Sequence, residues 1–421
     1  MLSRVKLLFV GQRYPHSVAR KSERNLSNLP PEILLSIIKF LPISGAASLT
    51  LCNHALLQAL GTRYWRLLRY GNENENQREI FLSSLARDLP AHFFCYHCSR
   101  LHLRDKVGPP GPAFQPLNRL SCRNKHESIW PCFLSHRCDS DYRFVFPHLH
   151  LAMKRHRRGP SHGIPLDSLS FIEVQLSDDE REEDKTTTLL SVEARISSDE
   201  FYLRIQQWAL ISSNHRDLIP SRTRFVGICP HTRSHTSAIS GLVECRFEHQ
   251  GKRDDCRTCL DILQCQHCHM DFQVEIKDFQ DEGMALVITK WLNLGSGLTP
   301  MDLKWRNHLA RGPGNTAKIK AGSVRSRFER QQGASQEVLT QENASKLLNK
   351  QYMRTLQRKK VYRRQQGSSV YREVWDNKWI LQAGRRFNYP VDLTQIFTSL
   401  FIAWALSTLT TIVWTTSMQS S

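Results

Sequence analysis

Between Leu26 and Trp65 the apolar residues fall at helical spacing, in a stretch too short to hide them all. The run opens N-L-S-N-L-P-P-E-I-L-L-S-I-I-K-F-L-P. Leu29 is followed by Ile33 and Ile37, while Leu34, Ile38 and Leu41 fill the adjacent row. That i, i+3, i+4 pattern makes one helix face apolar. Pro30 and Pro31 stand in the first turn, where a missing N–H costs nothing, and Pro42 closes the helix. Ala46 to Leu60 predicts a second short helix, and Trp65 ends a third. About forty residues bury too little core to stand alone. Such a bundle keeps apolar surface for a partner, unless it packs on the rest of its own chain.

At 421 residues the chain has room for two or three domains, and 40% hydrophobic content says much of it folds. No secretory signal is expected ahead of the 12 cysteines, because the apolar run Leu7–Val10 is only four residues long. Outside an oxidising compartment, CxxC pairs read as metal ligands. Arg4, Lys6, Arg13, Arg20, Lys21 and Arg24 give residues 1–25 a look of a transit peptide; the competing reading is a disordered basic arm. The net charge of +19 is concentrated: Lys304 to Arg386 holds 20 Lys/Arg against 5 Asp/Glu. That asymmetry predicts a basic tail.

After residues 26–70, a polar spacer leads to a helical pattern over Arg78–Leu89. Leu89–Cys138 is rich in Pro, Cys and His. Tyr142–Arg158 alternates like a strand and then continues as a helix with a basic end. Phe171–Leu176, Leu189–Ile196 and Phe201–Ile211 alternate as strands, and Phe272–Phe279 with Met284–Leu294 reads as a hairpin. The fold class expected is α+β. It comprises an N-terminal three-helix bundle (26–70), a mixed, mainly antiparallel domain (71–302), a largely disordered basic tail (303–391) and an apolar end (392–421).

The order L-P-x-E-I-L-x-x-I-x-x-F-L-P, then S-L-x-L, then Trp65, resembles an F-box. The resemblance implies a protein that docks on a Skp-type adaptor and brings protein substrates to a cullin ubiquitin ligase in cytoplasm or nucleus. By position it assigns adaptor-facing or core roles to Leu29, Pro30, Ile33, Leu34, Ile37, Leu41, Pro42, Leu49, Cys52 and Trp65. Segments 85–102, 146–169 and 271–300 are similar to F-box proteins of filamentous ascomycete fungi, a group with no established substrate. That likeness covers roughly residues 26–330 and does not extend to 331–421.

Cys95-Tyr-His-Cys98 is a knuckle whose tight turn puts both sulfurs on one tetrahedral ion, with zinc the expected metal. His97, His102, Cys122, Cys132, His136 and Cys138 are available to complete it, and the fungal resemblance favours Cys122. Cys256-x-x-Cys259 and Cys265-x-x-Cys268 supply four thiolates with five residues between the pairs. The partition stays open: Cys265 and Cys268 pair with Cys95 and Cys98 in one alternative, and Cys229, His231 or Cys245 join in others. Closed thiolate sites support folding and leave no position for chemistry.

No HExxH, P-loop, GxSxG or strand-borne GxGxxG is present, so no catalytic residue is expected. The basic run Lys346–Arg364 reads as an import signal, a nucleic-acid or membrane-surface contact, or a solvated face. Ile396–Thr416 has no charge over 21 residues, long enough for a membrane tail anchor; a buried C-terminal helix competes. Two functions follow: a substrate-recruiting ligase subunit, or a zinc-bearing scaffold that meets nucleic acid or membrane through its tail.

Overall fold

The computed structural model describes residues 26, 29–70, 74–110, 120–122, 126–129, 142–177, 186–211, 228–231, 236–249, 256, 262–278, 283–309, 320–330 and 370–375. They fall into two compact units, divided between Leu85 and Ala86.

The first unit is helical: α1 (Pro31–Lys39), α2 (Ile43–Cys52), α3 (His54–Leu60), α4 (Arg63–Tyr70) and the start of α5 (Glu75–Asp88). Sequence spacing made Ala46–Leu60 one helix. The chain breaks it at Asn53, which is extended (φ −160°, ψ 169°). The Asn53 side chain accepts the Leu56 N–H at 2.8 Å, capping α3. Gly61, at φ 68°, ends that helix. The expected three helices are therefore four. Leu34, Ile38, Ala46, Leu56 and Leu60 form the small core. Trp65 Nε1 donates to Thr50 Oγ1 at 2.9 Å and ties α4 to α2.

The second unit is built on an antiparallel sheet, so the expected α+β class holds at that level. Its strands are β5 (Phe171–Ser177), β6 (Thr186–Ser197), β7 (Glu200–Ile211), β8 (Leu263–Gln264), β9 (Met270–Asp278), β10 (Met284–Gly295) and β11 (Val370–Trp375). They follow the order β11-β5-β6-β7-β10-β9-β8. Two short hairpin ladders stand beside it: β1 (His92–Cys95) with β2 (Arg100–Leu103), and β3 (Ser128–Ile129) with β4 (Phe144–Val145). The alternating runs named from sequence are β5, β6, β7 and the β9–β10 hairpin. Ser198 and Asp199 both take positive φ between β6 and β7, giving the turn whose twist suits a two-residue hairpin.

Every position of β10 is buried, because both sheet faces are covered. On one, Leu286, Ile288, Leu292 and Leu294 join Leu149, Ala152 and Met153 of helix α6 (Phe146–Arg158). On the other, Trp291 and Tyr202 pack with Val324 and Phe328 of a short helix at Ser323–Glu329. That helix lies inside the segment expected to be a disordered tail. Asp271 Oδ2 caps it, accepting from the Val324 and Arg325 N–H groups at 2.8 and 2.9 Å. Arg204 bonds Glu193 at 2.6 Å and lies 3.4 Å from Glu329, and Trp291 Nε1 donates to Glu329 at 3.0 Å. Two further parts of that tail segment are ordered: β11 pairs with β5 from Val370↔Ser177 to Trp375↔Ile172, and Trp305 is buried.

Candidate metal centres and an exposed helical face

Among the described residues, three groups of Cys and His bring their donor atoms within 4.8 Å of one another, and each could hold a metal ion: Cys95, Cys98, His102 and Cys122; Cys229, His231, Cys265 and Cys268; Cys245, His249 and Cys256. A tetrahedral ion with bonds of about 2.3 Å to sulfur and about 2.0 Å to nitrogen sets thiolates about 3.8 Å apart and thiolate–imidazole pairs about 3.6 Å apart.

The first centre sits on the β1–β2 turn. Cys95 ends β1, Ser99 takes φ 48° to reverse the chain, and β2 carries His102. Cys95 and Cys122 sulfurs are 3.7 Å apart, and Cys122 lies 3.5 Å from His102 Nε2. Cys98 lies 3.1 Å from the same nitrogen. These are near the edges of one tetrahedron, and far beyond a disulfide bond of about 2.05 Å.

The second centre repeats the device at the β8–β9 turn, with Cys229 and His231 brought in from a distant loop. Cys229 Sγ is 3.4 Å from Cys265 Sγ and 3.9 Å from His231 Nδ1. The His267 N–H points at Cys265 Sγ at 3.4 Å, as a knuckle turn provides. Cys229, Cys265 and Cys268 are all buried. The third centre is more open. Cys245 and His249, one turn apart on the helix Thr236–His249, lie 3.7 Å from each other, and Cys256 Sγ is 3.7 Å from Cys245 Sγ.

Within each buried group the thiols restrain one another's ionisation. A hydrogen bond from Cys98 lowers the pKa of Cys95, while that bond and burial raise Cys98. Burial and then the Cys95 charge raise Cys122. Hydrogen bonds with Cys229 raise both Cys265 and Cys268. Several thiolates crowd a small space, and a dication is what would let them all ionise.

The structure therefore divides the cysteines differently from the four-thiolate reading. Cys256 goes with Cys245 and His249, and Cys265 and Cys268 go with Cys229 and His231. Cys265 and Cys268 do not join Cys95 and Cys98. Cys259, Cys132, His136 and Cys138 lie outside the described residues. His97 stands beside the first centre, its ring 4.4 Å from that of His126.

On the helical unit, Ile33 is 48% exposed and Leu41 38%, with Pro30, Pro42 and Cys52 also at the surface. Leu29, Ile37, Leu49 and Trp65 are half-buried. Leu34 is only 2% exposed, so its place is the core and it cannot meet a partner directly. Phe40, 89% exposed at the end of α1, was not singled out from sequence. It stands three residues past Ile37 and seven past Ile33, on the same face of the helical repeat. Among the described residues no helix is long and apolar enough to cross a membrane; residues 1–25, the basic run 346–364 and the apolar run 396–416 lie outside them.

No protein-family model matches this sequence, and neither a curated protein nor a solved structure shows a significant match.

Proposed function

We propose that the chain is a substrate-recruiting F-box subunit of a Skp–cullin–F-box type ubiquitin ligase. The helical unit docks the adaptor and the sheet unit presents the surface that meets a protein substrate. The observation that carries this reading is the apolar group Ile33, Phe40 and Leu41 left in solvent by a helix that buries Leu34 and Ile38. Covering those three side chains returns about 4 kcal/mol, a useful part of a micromolar interaction. The order of Leu, Pro, Ile and Trp positions in the F-box resemblance points to the same partner. Transfer chemistry belongs to other subunits, and the reading places the chain where cullin complexes work, in cytoplasm or nucleus.

The ion proposed for the three centres is zinc, held as a structural ion by Cys95, Cys98, Cys122 and His102, by Cys229, His231, Cys265 and Cys268, and by Cys245, His249 and Cys256. Thiolate and imidazole donors at near-tetrahedral edges suit zinc, which would pin the two hairpin turns and the end of the helix Thr236–His249. Affinity purification of the full chain from its native cell, with mass spectrometry of the captured proteins, tests the ligase reading. The Skp-type adaptor and a cullin are the expected companions. Their joint absence would overturn it.

A further inference from the structure

The two knuckle hairpins are built alike, and they differ in a donor. The first reads Cys95-Tyr-His97-Cys98-Ser-Arg-Leu-His102, the second Cys265-Gln-His267-Cys268-His-Met-Asp-Phe272. In both, a separate limb brings one cysteine and one histidine: Cys122 with His126, and Cys229 with His231. In both, that incoming histidine packs against the histidine inside the knuckle. The His126 and His97 rings are 4.4 Å apart at 71°, and the His231 and His267 rings 5.4 Å apart at 41°.

Aligned this way, His126 holds the place that His231 fills as a donor. His102 has no counterpart, because the second hairpin carries buried Phe272 there. The distances agree. His126 Nε2 lies 3.5 Å from Cys122 Sγ and 3.7 Å from Cys95 Sγ. His102 Nε2 lies 3.5 Å from the same Cys122 Sγ and 3.1 Å from Cys98 Sγ. Each imidazole shares Cys122 and takes a different second thiolate.

We infer that the first centre is a five-donor site, in which His102 and His126 are alternative fourth ligands to one tetrahedral ion held by Cys95, Cys98 and Cys122. The inference rests on the zinc reading above. A structural zinc takes four ligands, so one histidine stands off whenever the other binds. A ligand bound through Nε2 is steadied when its Nδ1–H finds an acceptor. His126 Nδ1 is buried without a hydrogen-bond partner, and His102 is the imidazole grouped with all three thiolates, so His102 is the resident and His126 the relief. As one imidazole binds, the other leaves with its lone pair, so the ion keeps its charge and its coordination number. The three thiolates stay in place, so the ion can change partners without opening the hairpin. The second centre, with four donors grouped among the described residues, is the internal control.

The test is the zinc content of the purified full-length chain, with cobalt substitution to report coordination, in His102→Ala, His126→Ala and the double variant. Each single variant should keep the wild-type number of ions and a tetrahedral cobalt spectrum. Its affinity at this centre should fall by no more than about a hundredfold, the upper cost of an outer-sphere change. The double variant should lose one ion. Loss of one ion from His102→Ala alone would overturn the inference, as would a double variant no worse than the single. Circular dichroism of the single variants separates ligand loss from unfolding, and the singles decide the matter even if the double does not fold. A wild-type chain with no bound metal would instead remove the zinc reading and the exchange with it.

Discussion

Helix α1 and strand β10 are both dense apolar runs, P-E-I-L-L-S-I-I-K and M-A-L-V-I-T-K-W-L-N-L-G, yet they meet opposite fates. The strand has all its positions buried, since one face packs on α6 and the other on the helix at Ser323–Glu329. The helix buries Leu34 and Ile38 and leaves Ile33 and Leu35 in solvent, with Phe40 and Leu41 beyond its end. Hydrophobicity is alike; what differs is how many neighbours the fold supplies. The sheet unit covers its own central strand. The helical unit is too small to cover α1 twice, and its uncovered side is where a partner gains most.

The comparison is broken most severely by removing metal. Cys265→Ser with Cys268→Ser should cost the sheet unit one bound zinc. Structural zinc in small modules is worth on the order of 10 kcal/mol, comparable to the whole stability of a domain. Thermal melting followed by tryptophan fluorescence should show the sheet unit unfolding far below its wild-type midpoint, while adaptor capture persists. An unchanged midpoint would mean that this centre holds no structural ion.

Next in size is Phe328→Ala. Phe328 is fully buried against Tyr202 and Trp291, beneath the Arg195 guanidinium 4.4 Å from its ring centre. Loss of a buried phenylalanine costs about 3–5 kcal/mol. Urea unfolding should read that loss, and protease cleavage near residue 320 should accelerate; neither follows if the 320–330 segment is an independent tail.

Acid should separate the units further. His148 accepts the Val145 N–H at 3.2 Å and bonds the Gly108 carbonyl at 2.9 Å through its other nitrogen. His308 bonds the Asn293 carbonyl at 3.1 Å. Burial lowers the pKa of each to about 4. An unfolded histidine takes its proton near pH 6.5. On acidification the unfolded chain protonates first, so stability is lost as pH falls from about 6.5 to about 4, by about 3 kcal/mol for each residue in full. Urea midpoints measured from pH 7 to 4.5 should fall, and the fall should shrink in His148→Gln. An equal slope in that variant would contradict the assignment.

The smallest stability effect sharpens the contrast inside α1 itself. Leu34→Ala should destabilise the helical unit by about 2–4 kcal/mol. Phe40→Ala should shift it by less than about 0.5 kcal/mol, although phenylalanine is the larger side chain. Helical circular dichroism during urea titration distinguishes the two.

Much of this was legible wherever a signal is local. Period-two runs marked β5, β6, β7 and the β9–β10 hairpin, and helical spacing marked α1. The Cys-x-x-Cys pairs at Cys95 and Cys265 sit on hairpin turns, as a tight turn for two sulfurs requires. What escaped was settled by long-range contact. Cys229 meets Cys265 across 36 residues of chain, and no spacing rule selects it over Cys259. His126 carries no signal except a position four residues after Cys122. The helix at Ser323–Glu329 has only Val324 and Phe328, four apart in a basic run, to mark it. A sheet face with buried Glu193 and Arg204 recruits it, and that face exists only after the strands have paired. Phe40 was legible too, seven residues past Ile33 on the same helical face, and was passed over for Leu41.

The account's central claim is that the exposed row of the helical unit is an adaptor-docking face. Titration calorimetry of the purified full-length chain with a purified Skp-type adaptor tests it most directly, with Ile33→Asp plus Phe40→Asp as the paired variant. The account predicts a one-to-one complex for the wild type and affinity lowered by more than about a hundredfold in the variant, since two carboxylates would then need burying, with its melting temperature unchanged. Absence of binding by the wild type, or equal binding by the variant, would contradict it.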